Sequence, residues 1–298
     1  MQGAPPRPAV DGVLLIDKPV GPSSNAVLQH AKRVLGAARA GHTGTLDPLA
    51  SGLLIAGLGE ATKFCGDLLD ADKTYLARLT LGVRTATGDA EGPVLARREV
   101  AVTRDRLLAA LSRFLGEIEQ VPPMYAAIKH QGRPLYSYAR SGTTVQRTPR
   151  RVVIRRLELE DYSADTVVLR VRCSKGTYIR VLAEDLGEAL GCGAHLAALQ
   201  RLVIGDFTLD QAIRLETLES LSPPERLALL LPPEALVSSR PRLDIHGEAS
   251  ARFRQGGAVP VGGPSRFVAV FGEGGAFFGT GQVDVGGTLH AKRLLAHR

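Results

Sequence analysis

Between Thr74 and Val83 the side chains alternate with a period of two, and this restricts the fold more than any other feature of the sequence. Tyr75, Ala77, Leu79, Leu81 and Val83 fall on one face, with Thr74, Arg78 and Thr80 on the other. Such alternation predicts a strand with one apolar face. It returns at 165–173, where Val167, Leu169, Val171 and Cys173 alternate with Thr166, Arg170 and Arg172. Another strand is predicted at 151–160, and a short buried one at 12–16, stopped by Pro19 and Gly21. Helical patterns lie between. One is capped by Ser23 or Ser24, presents Val27, Ala31, Val34 and Leu35, and ends at Gly36. A second carries Leu107, Leu108, Leu111, Phe114 and Leu115 between Thr103 and Gly116. A third carries Ile179, Leu182, Ala183, Leu186 and Leu190 and ends at Gly191. Strands and helices interleave without the regular spacing of a parallel βαβ sheet. The fold class expected is α+β, with a mixed, mainly antiparallel sheet.

A chain of 298 residues fits two domains, one of them small. Pro-Pro pairs within 221–241 mark the expected boundary, and the glycine-rich remainder reads as a small β-rich unit with tight turns. The net charge of +7 and pI near 9.6 favour a polyanionic partner, because Lys and Arg displace counterions condensed on phosphates. Cys65, Cys173 and Cys192 form no CxxC pair and no zinc-type cluster, so thiols in a reducing cytosol are expected and no metal is. The leader MQGAPPRPAV has no apolar core of the signal-peptide kind, and no run approaches the ~18 apolar residues that span a bilayer. A cytoplasmic protein without a membrane partner is expected.

Residues 37–52, AARAGHTGTLDPLASG, follow no period and read as a long loop. Long ordered loops in compact domains carry function more often than scaffold. Asp47 precedes Pro48, which biases it away from the α region, and the flanking glycines allow close backbone approach to a ligand. Taken alone, Asp-Pro is equally a plain turn. Residues 121–150 are irregular and basic, with tyrosines interleaved among Lys129, Arg133 and Arg140.

GHTGTLDPLASGLL resembles the active-site loop of the TruB-type pseudouridine synthases over fourteen consecutive residues. Further TruB-like segments follow in order: DKPVGPSS, GEATKF, DKTYLARLTLG, VPPMYAAIKHQGRPLYSYARSG and SKGTYIRVLAEDLGEALGCGAHLAALQRLVIGDF. The likeness is strong from residue 12 to about 210 and looser beyond. AAIK stands where members often have SALK, and PSS where many have Thr-Ser.

The resemblance implies a catalytic domain of the pseudouridine synthase type over 11–238, after a flexible leader at 1–10. A thumb-like insertion at about 121–150 would grip RNA through Lys129, Arg133 and Arg140, and a small barrel-like domain of PUA type would occupy 240–298. It further implies isomerisation of uridine to pseudouridine at position 55, in the T-loop of tRNA, with Asp47 as the catalytic carboxylate. Arg180 would pair with Asp47, and Tyr75 would stack on the flipped base and receive the C5 proton. Tyr178 and Leu199 would line the base pocket, His42 would fill the space left by flipped bases, and Lys18 and Pro19 would support the loop. No cofactor is implied, since the reaction is redox-neutral. A monomer is implied, with no obligate protein partner, that reads the T-arm and the acceptor stem of tRNA. From the residues alone, Tyr75 and Leu199 are equally core side chains, Arg180 an ordinary helix-start arginine and His42 a polar loop residue. Two other functions suit the same basic surface: an RNA-folding chaperone, and a guide-RNA-dependent pseudouridine synthase.

Overall fold

The computed structural model describes residues 10–126 and 128–296; the leader expected at 1–10 lies almost wholly outside them. The chain opens with β1 (Gly12–Lys18) and α1 (Ser24–Leu35). The Ser23 hydroxyl accepts the Ala26 N–H at 3.2 Å, and Gly36 ends α1 in the left-handed region, φ 67°. β2 (Ala40–His42) and β3 (Ala50–Leu58) follow, then a 3₁₀ segment at Gly59–Asp70 and β4 (Lys73–Leu81). A hairpin of β5 (Val83–Thr85) and β6 (Val94–Arg97) precedes α2 (Arg104–Ser112) and β7 (Gly116–Gln120). The insertion contains a small hairpin, β8 (Lys129–His130) with β9 (Arg133–Pro134), and a short α3 (Leu135–Arg140). Then come β10 (Arg150–Ser163), β11 (Thr166–Cys173), α4 (Ile179–Leu190), β12 (Ala194–Ile204), β13 (Phe207–Thr208) and β14 (Ile213–Arg214).

The main sheet runs β14-β1-β3-β12-β4-β11-β10-β7, with β2 added to β3 and β13 to β12. Only the β1–β14 and β3–β12 pairings in this sheet are parallel. The expected mixed, mainly antiparallel α+β sheet is therefore what forms. Ala77, Leu79 and Leu81 of β4 and Val167, Leu169 and Val171 of β11 are buried beneath α2 and α4, so the alternating face is the core face. α1 covers the apolar residues of β1 and β3 with Val27, Leu28, Ala31 and Leu35.

After α5 (Leu215–Ser220) and α6 (Pro223–Ala228), β15 (Arg242–Asp244) begins a second, curled sheet. Its further elements are α7 (Gly247–Arg254), β16 (Val259–Pro260), β17 (Arg266–Phe271), β18 (Phe277–Val283) and β19 (Thr288–Leu294). The strand order is β15-β17-β18-β19-β16. Phe271 and Phe277 of this sheet pack on Phe64 and Leu68 of the 3₁₀ segment and on Leu236, so the two sheets share one apolar cluster.

The structure corrects three expectations in detail. The loop at 37–52 is shorter, because Ala40–His42 pairs with Leu58–Ala56 and β3 already begins at Ala50. The alternation of β4 stops at Leu81: Gly82 turns the chain with φ 80° and puts Val83 in a separate hairpin. The helix after Thr103 ends at Ser112, and Gly116 opens β7, which leaves Leu108 and Leu115 in solvent. The C-terminal unit, expected as β-rich with tight turns, also contains a helix, α7.

Candidate active site

The segment from Thr43 to Leu49 crosses one end of the sheet between β2 and β3 and is tied down at several points. The buried Ser24 hydroxyl donates to the Leu46 carbonyl (2.9 Å) and accepts the Leu46 N–H (2.7 Å). Gly21 N–H donates to Pro48 O, and Ala50 N–H closes a turn onto Asp47 O. Lys18, fully buried, donates to Ala50 O at 2.6 Å and Pro19 O at 2.9 Å. From below, Arg201 donates to Leu53 O, Gly44 O and Thr45 O. Gly52 pairs with Arg201 across the parallel β3–β12 register with φ 100°, and any Cβ there would collide with the Arg201 backbone. These bonds hold the Asp47 backbone; its side chain remains 44% exposed at the mouth of a cleft.

Arg180, in the first turn of α4, reaches this carboxylate: Nη2 lies 3.0 Å from Asp47 Oδ2. Its side chain is almost wholly buried, and Nη1 lies 3.2 Å from the equally buried Asp89. Arg180 also donates to the carbonyls of Thr87 (3.3 Å) and Tyr125 (2.8 Å). One guanidinium thus joins the Asp47 loop, the turn after β5 and the root of the insertion. Burial pushes the Asp47 carboxyl above the usual aspartate range; Arg180 opposes that, Asp89 adds to it and Lys18 opposes it.

The cleft holds about 160 Å³ and is lined by Thr45, Leu46, Asp47, Tyr75, Ala126, Thr177, Tyr178, Ile179, Arg180 and Leu199. Tyr75 comes from β4 and Leu199 from β12, adjacent strands at the centre of the sheet. Burial raises the Tyr75 phenol, against the pull of the neighbouring Arg201 cation. Burial also raises Tyr178, opposed by Arg150 and Arg180. Tyr178 is fixed through its backbone: Gln120, 2% exposed, accepts its N–H (2.9 Å) and donates to its carbonyl (3.2 Å). A slot of mixed polar and apolar lining, with a carboxylate and a guanidinium at one end and a phenol within it, suits a planar, uncharged ring attached to a sugar.

The "TruB family pseudouridylate synthase (N terminal domain)" matches residues 32–179. The "tRNA pseudouridylate synthase B C-terminal domain" matches 180–238, and the "Pseudouridine synthase II TruB, C-terminal" domain matches 241–295. A "tRNA pseudouridine synthase B" of Ralstonia nicotianae is 55% identical over 99% of this chain and 97% of its own. That of Thiobacillus denitrificans is 55% identical over 98% of both. The chain belongs to the TruB family of pseudouridine synthases. Among solved structures, a chain of the "archaeal box H/ACA sRNP Nop10-Cbf5 complex" matches with a TM-score of 0.74 and 26% identity, over 97% of this chain and 88% of that one. A chain of an "H/ACA RNP bound to a substrate RNA containing 2'-deoxyuridine" matches with a TM-score of 0.73 and 26% identity, over 96% and 86%. The main sheet is of the pseudouridine synthase type, and the curled second sheet fits a PUA-type domain.

In this TruB family chain the structure brings Asp47, Tyr75, Tyr178, Arg180 and Leu199 into one cleft. His42 is not among its lining residues; it lies on β2 opposite Ala56, and its Nδ1 accepts the Gly44 N–H at 3.3 Å. Burial and Arg201 both lower its pKa, which keeps the ring neutral. Arg133 is exposed, with its guanidinium 5.4 Å from the Tyr138 ring centre. The side chains of Lys129 and Arg140 lie outside the described residues. Sequence reasoning missed Asp89, Gln120 and Arg201. Asp89 stood in the turn-rich RTATGDAEG, and Arg201 was the one cation inside the apolar run LAALQRLVI; that isolated charge was the available signal. Among the described residues no group of three or more His, Cys, Asp or Glu side chains could hold a metal ion.

Proposed function

We propose that this TruB family enzyme converts uridine to pseudouridine at position 55, in the T-loop of tRNA, with Asp47 as the catalytic carboxylate. The observation that carries this reading is the Asp47–Arg180 pair, 3.0 Å apart, at the mouth of a cleft that also holds Tyr75, Tyr178 and Leu199. The guanidinium fixes the carboxylate and favours its anion. The anion faces the sugar or the base of a uridine seated in the slot, where the C1′–N1 bond breaks and a bond to C5 replaces it. Tyr75 stacks on the base, which leaves its helix or loop to enter. Arg133 and the rest of the insertion meet the phosphates of the T-arm, and the second sheet, from about residue 240, meets the acceptor stem. The enzyme works as a cytoplasmic monomer; among the described residues no helix is long and apolar enough to cross a membrane.

Identity of 55% to proteins named tRNA pseudouridine synthase B, against 26% to chains from H/ACA complexes, supports stand-alone action on tRNA over guided action. The test is to incubate the purified chain with an unmodified tRNA transcript and with a T-arm hairpin, without guide RNA. Pseudouridine at the T-loop target, with tritium released from 5-labelled uridine, is the expected result. Binding without tritium release would point to a chaperone, and activity that requires an added guide would point to the guided class.

A further inference from the structure

Arg201 is 1% exposed. Three carbonyls accept its hydrogen bonds, Leu53 O at 2.7 Å, Gly44 O at 3.1 Å and Thr45 O at 3.4 Å, and among the described residues no carboxylate pairs with it. A buried cation without a counter-charge is costly, and neutral donors would tie down the same carbonyls at a smaller cost. The charge itself therefore calls for an explanation. The cross-strand partner of Arg201 on β4 is Tyr75, and the phenol and the guanidinium each favour the other's charged form. Tyr75 faces Cys173 from β11 and Asp47 from the loop as well. Lys18, His42 and Lys73 face Arg201 from β1, β2 and β4 and bear only positive or neutral forms. The Tyr75 hydroxyl is thus the group at hand that can become an anion against this guanidinium.

We infer that Arg201 is a positioning residue that holds the Tyr75 hydroxyl and stabilises its oxyanion when the C5 proton of the rearranged base is removed. The inference rests on the reading of Tyr75 as proton acceptor. In that step the C5–H bond breaks, the proton passes to the Tyr75 oxygen, and the electron pair restores the C5–C6 double bond. The phenol's own proton leaves to solvent first and the C5 proton replaces it, so Tyr75 rests between turnovers as the neutral phenol that burial favours. One proton gained at N1 matches the one lost at C5, so the reaction remains an isomerisation. A neutral phenol, with its pKa raised by burial, accepts no proton; the oxyanion does, and the buried cation is what sustains it.

The experiment compares the full-length parent, R201Q and R201K on a T-arm hairpin whose target uridine carries hydrogen or deuterium at C5. R201Q keeps amide donors and loses the charge; R201K keeps the charge and loses the fork. R201Q is expected to lose about 10²-fold or more in product release, the scale of proton-transfer catalysis. Its C5 isotope effect should exceed that of the parent, with hairpin affinity within a few-fold. R201K should recover much of the rate. Burial brings Lys18 and Lys73 down to about 8. A lysine at position 201 should likewise lose its charge in that range, so R201K should lose rate above it while the parent does not. That pH profile tests the inference even if R201Q does not fold. An unchanged isotope effect in R201Q, a rate loss matched by lost hairpin affinity, or an R201K profile parallel to the parent's would reduce Arg201 to a clamp on the loop. The Y75F variant separates the two readings. If Y75F turns over like the parent, the role of Tyr75 fails; if Y75F stalls and R201Q shows no isotope effect, only the inference about Arg201 falls.

Discussion

Arg180 Nη1 lies 3.2 Å from the Asp89 carboxylate, and both side chains are almost fully withdrawn from water. Asp89 therefore fixes the arginine from behind while Nη2 is presented to Asp47. Asp89→Ala leaves Arg180 with the half-exposed Asp47 as its remaining counter-charge, so it should destabilise the fold by about 1–3 kcal/mol, less than a buried charge left wholly unpaired. Chemical denaturation of the full chain measures this; a loss under about 1 kcal/mol, the range of surface pairs, would mean that the carbonyls of Thr87 and Tyr125 suffice.

The same pair sets a pH dependence. Burial raises the Asp47 pKa above the ordinary aspartate value of about 3.9, and the proposed chemistry needs the anion. Turnover should therefore fall as pH drops through a midpoint above that value. Arg180 lowers the Asp47 pKa and Asp89 raises it. Arg180→Gln should move the acid limb to higher pH, and Asp89→Asn should move it to lower pH. Single-turnover rates on a T-arm hairpin across the acid range decide this, and shifts of the same sign in both variants would contradict the assignment.

Asp47→Asn should abolish pseudouridine formation while hairpin affinity stays within a few-fold. The amide keeps the shape and removes the anion, and Arg180 retains Asp89 as its counter-charge. Turnover by the asparagine variant above a small fraction of the parent rate would remove Asp47 from the chemical step.

Much of this architecture was legible because local chemistry and packing agree. Ser23 and Gly36 bound α1 as their side-chain and backbone preferences dictate, and the alternation in β4 and β11 is the core face itself. β12 was not legible. It is the central strand beside both β3 and β4, and apolar residues on both faces erase the period of two. Leu199 was therefore reached only through family resemblance, and Arg201 not at all. β2 was missed because three half-buried residues pair through backbone bonds without any apolar pattern. Asp89 lies 91 residues from Arg180, and nothing in a turn sequence reports so distant a partner. Asp47 and Arg180 were named by resemblance; what the sequence withheld is that one guanidinium bridges two carboxylates.

Binding to tRNA should weaken steeply with salt, because each phosphate neutralised adds roughly 0.7–0.9 to the log–log slope. Reversing the exposed Arg133 should flatten that slope by about the share of one phosphate. Filter binding of a T-arm hairpin at several salt concentrations measures it, and an unaltered slope would place the RNA away from the insertion.

The second sheet is expected to add affinity for whole tRNA and little to the reaction on a hairpin. Cutting the chain after Ser239 is a poor way to show this. The Phe64 and Phe277 rings lie 5.2 Å apart, Lys63 donates to Leu294 O at 2.8 Å, and the Ala296 N–H donates to Glu60 at 2.7 Å. Removing the sheet would bare Phe64, Leu236 and Val237, each now almost inaccessible, at roughly 1.5–3 kcal/mol apiece. A truncated chain that aggregates would say nothing about recognition. The cleaner variant leaves the shared cluster intact and reverses charge at Lys292 and Arg293, both exposed on β19. The doubly reversed protein should bind full-length tRNA more weakly and with a shallower salt slope, and its melting temperature should stay close to the parent's. Its turnover on a T-arm hairpin should match the parent, because the Asp47 cleft is built entirely from residues before β13. If hairpin turnover falls together with tRNA affinity, the second sheet contributes to the reaction itself; if tRNA affinity does not change, the acceptor stem is read by another face.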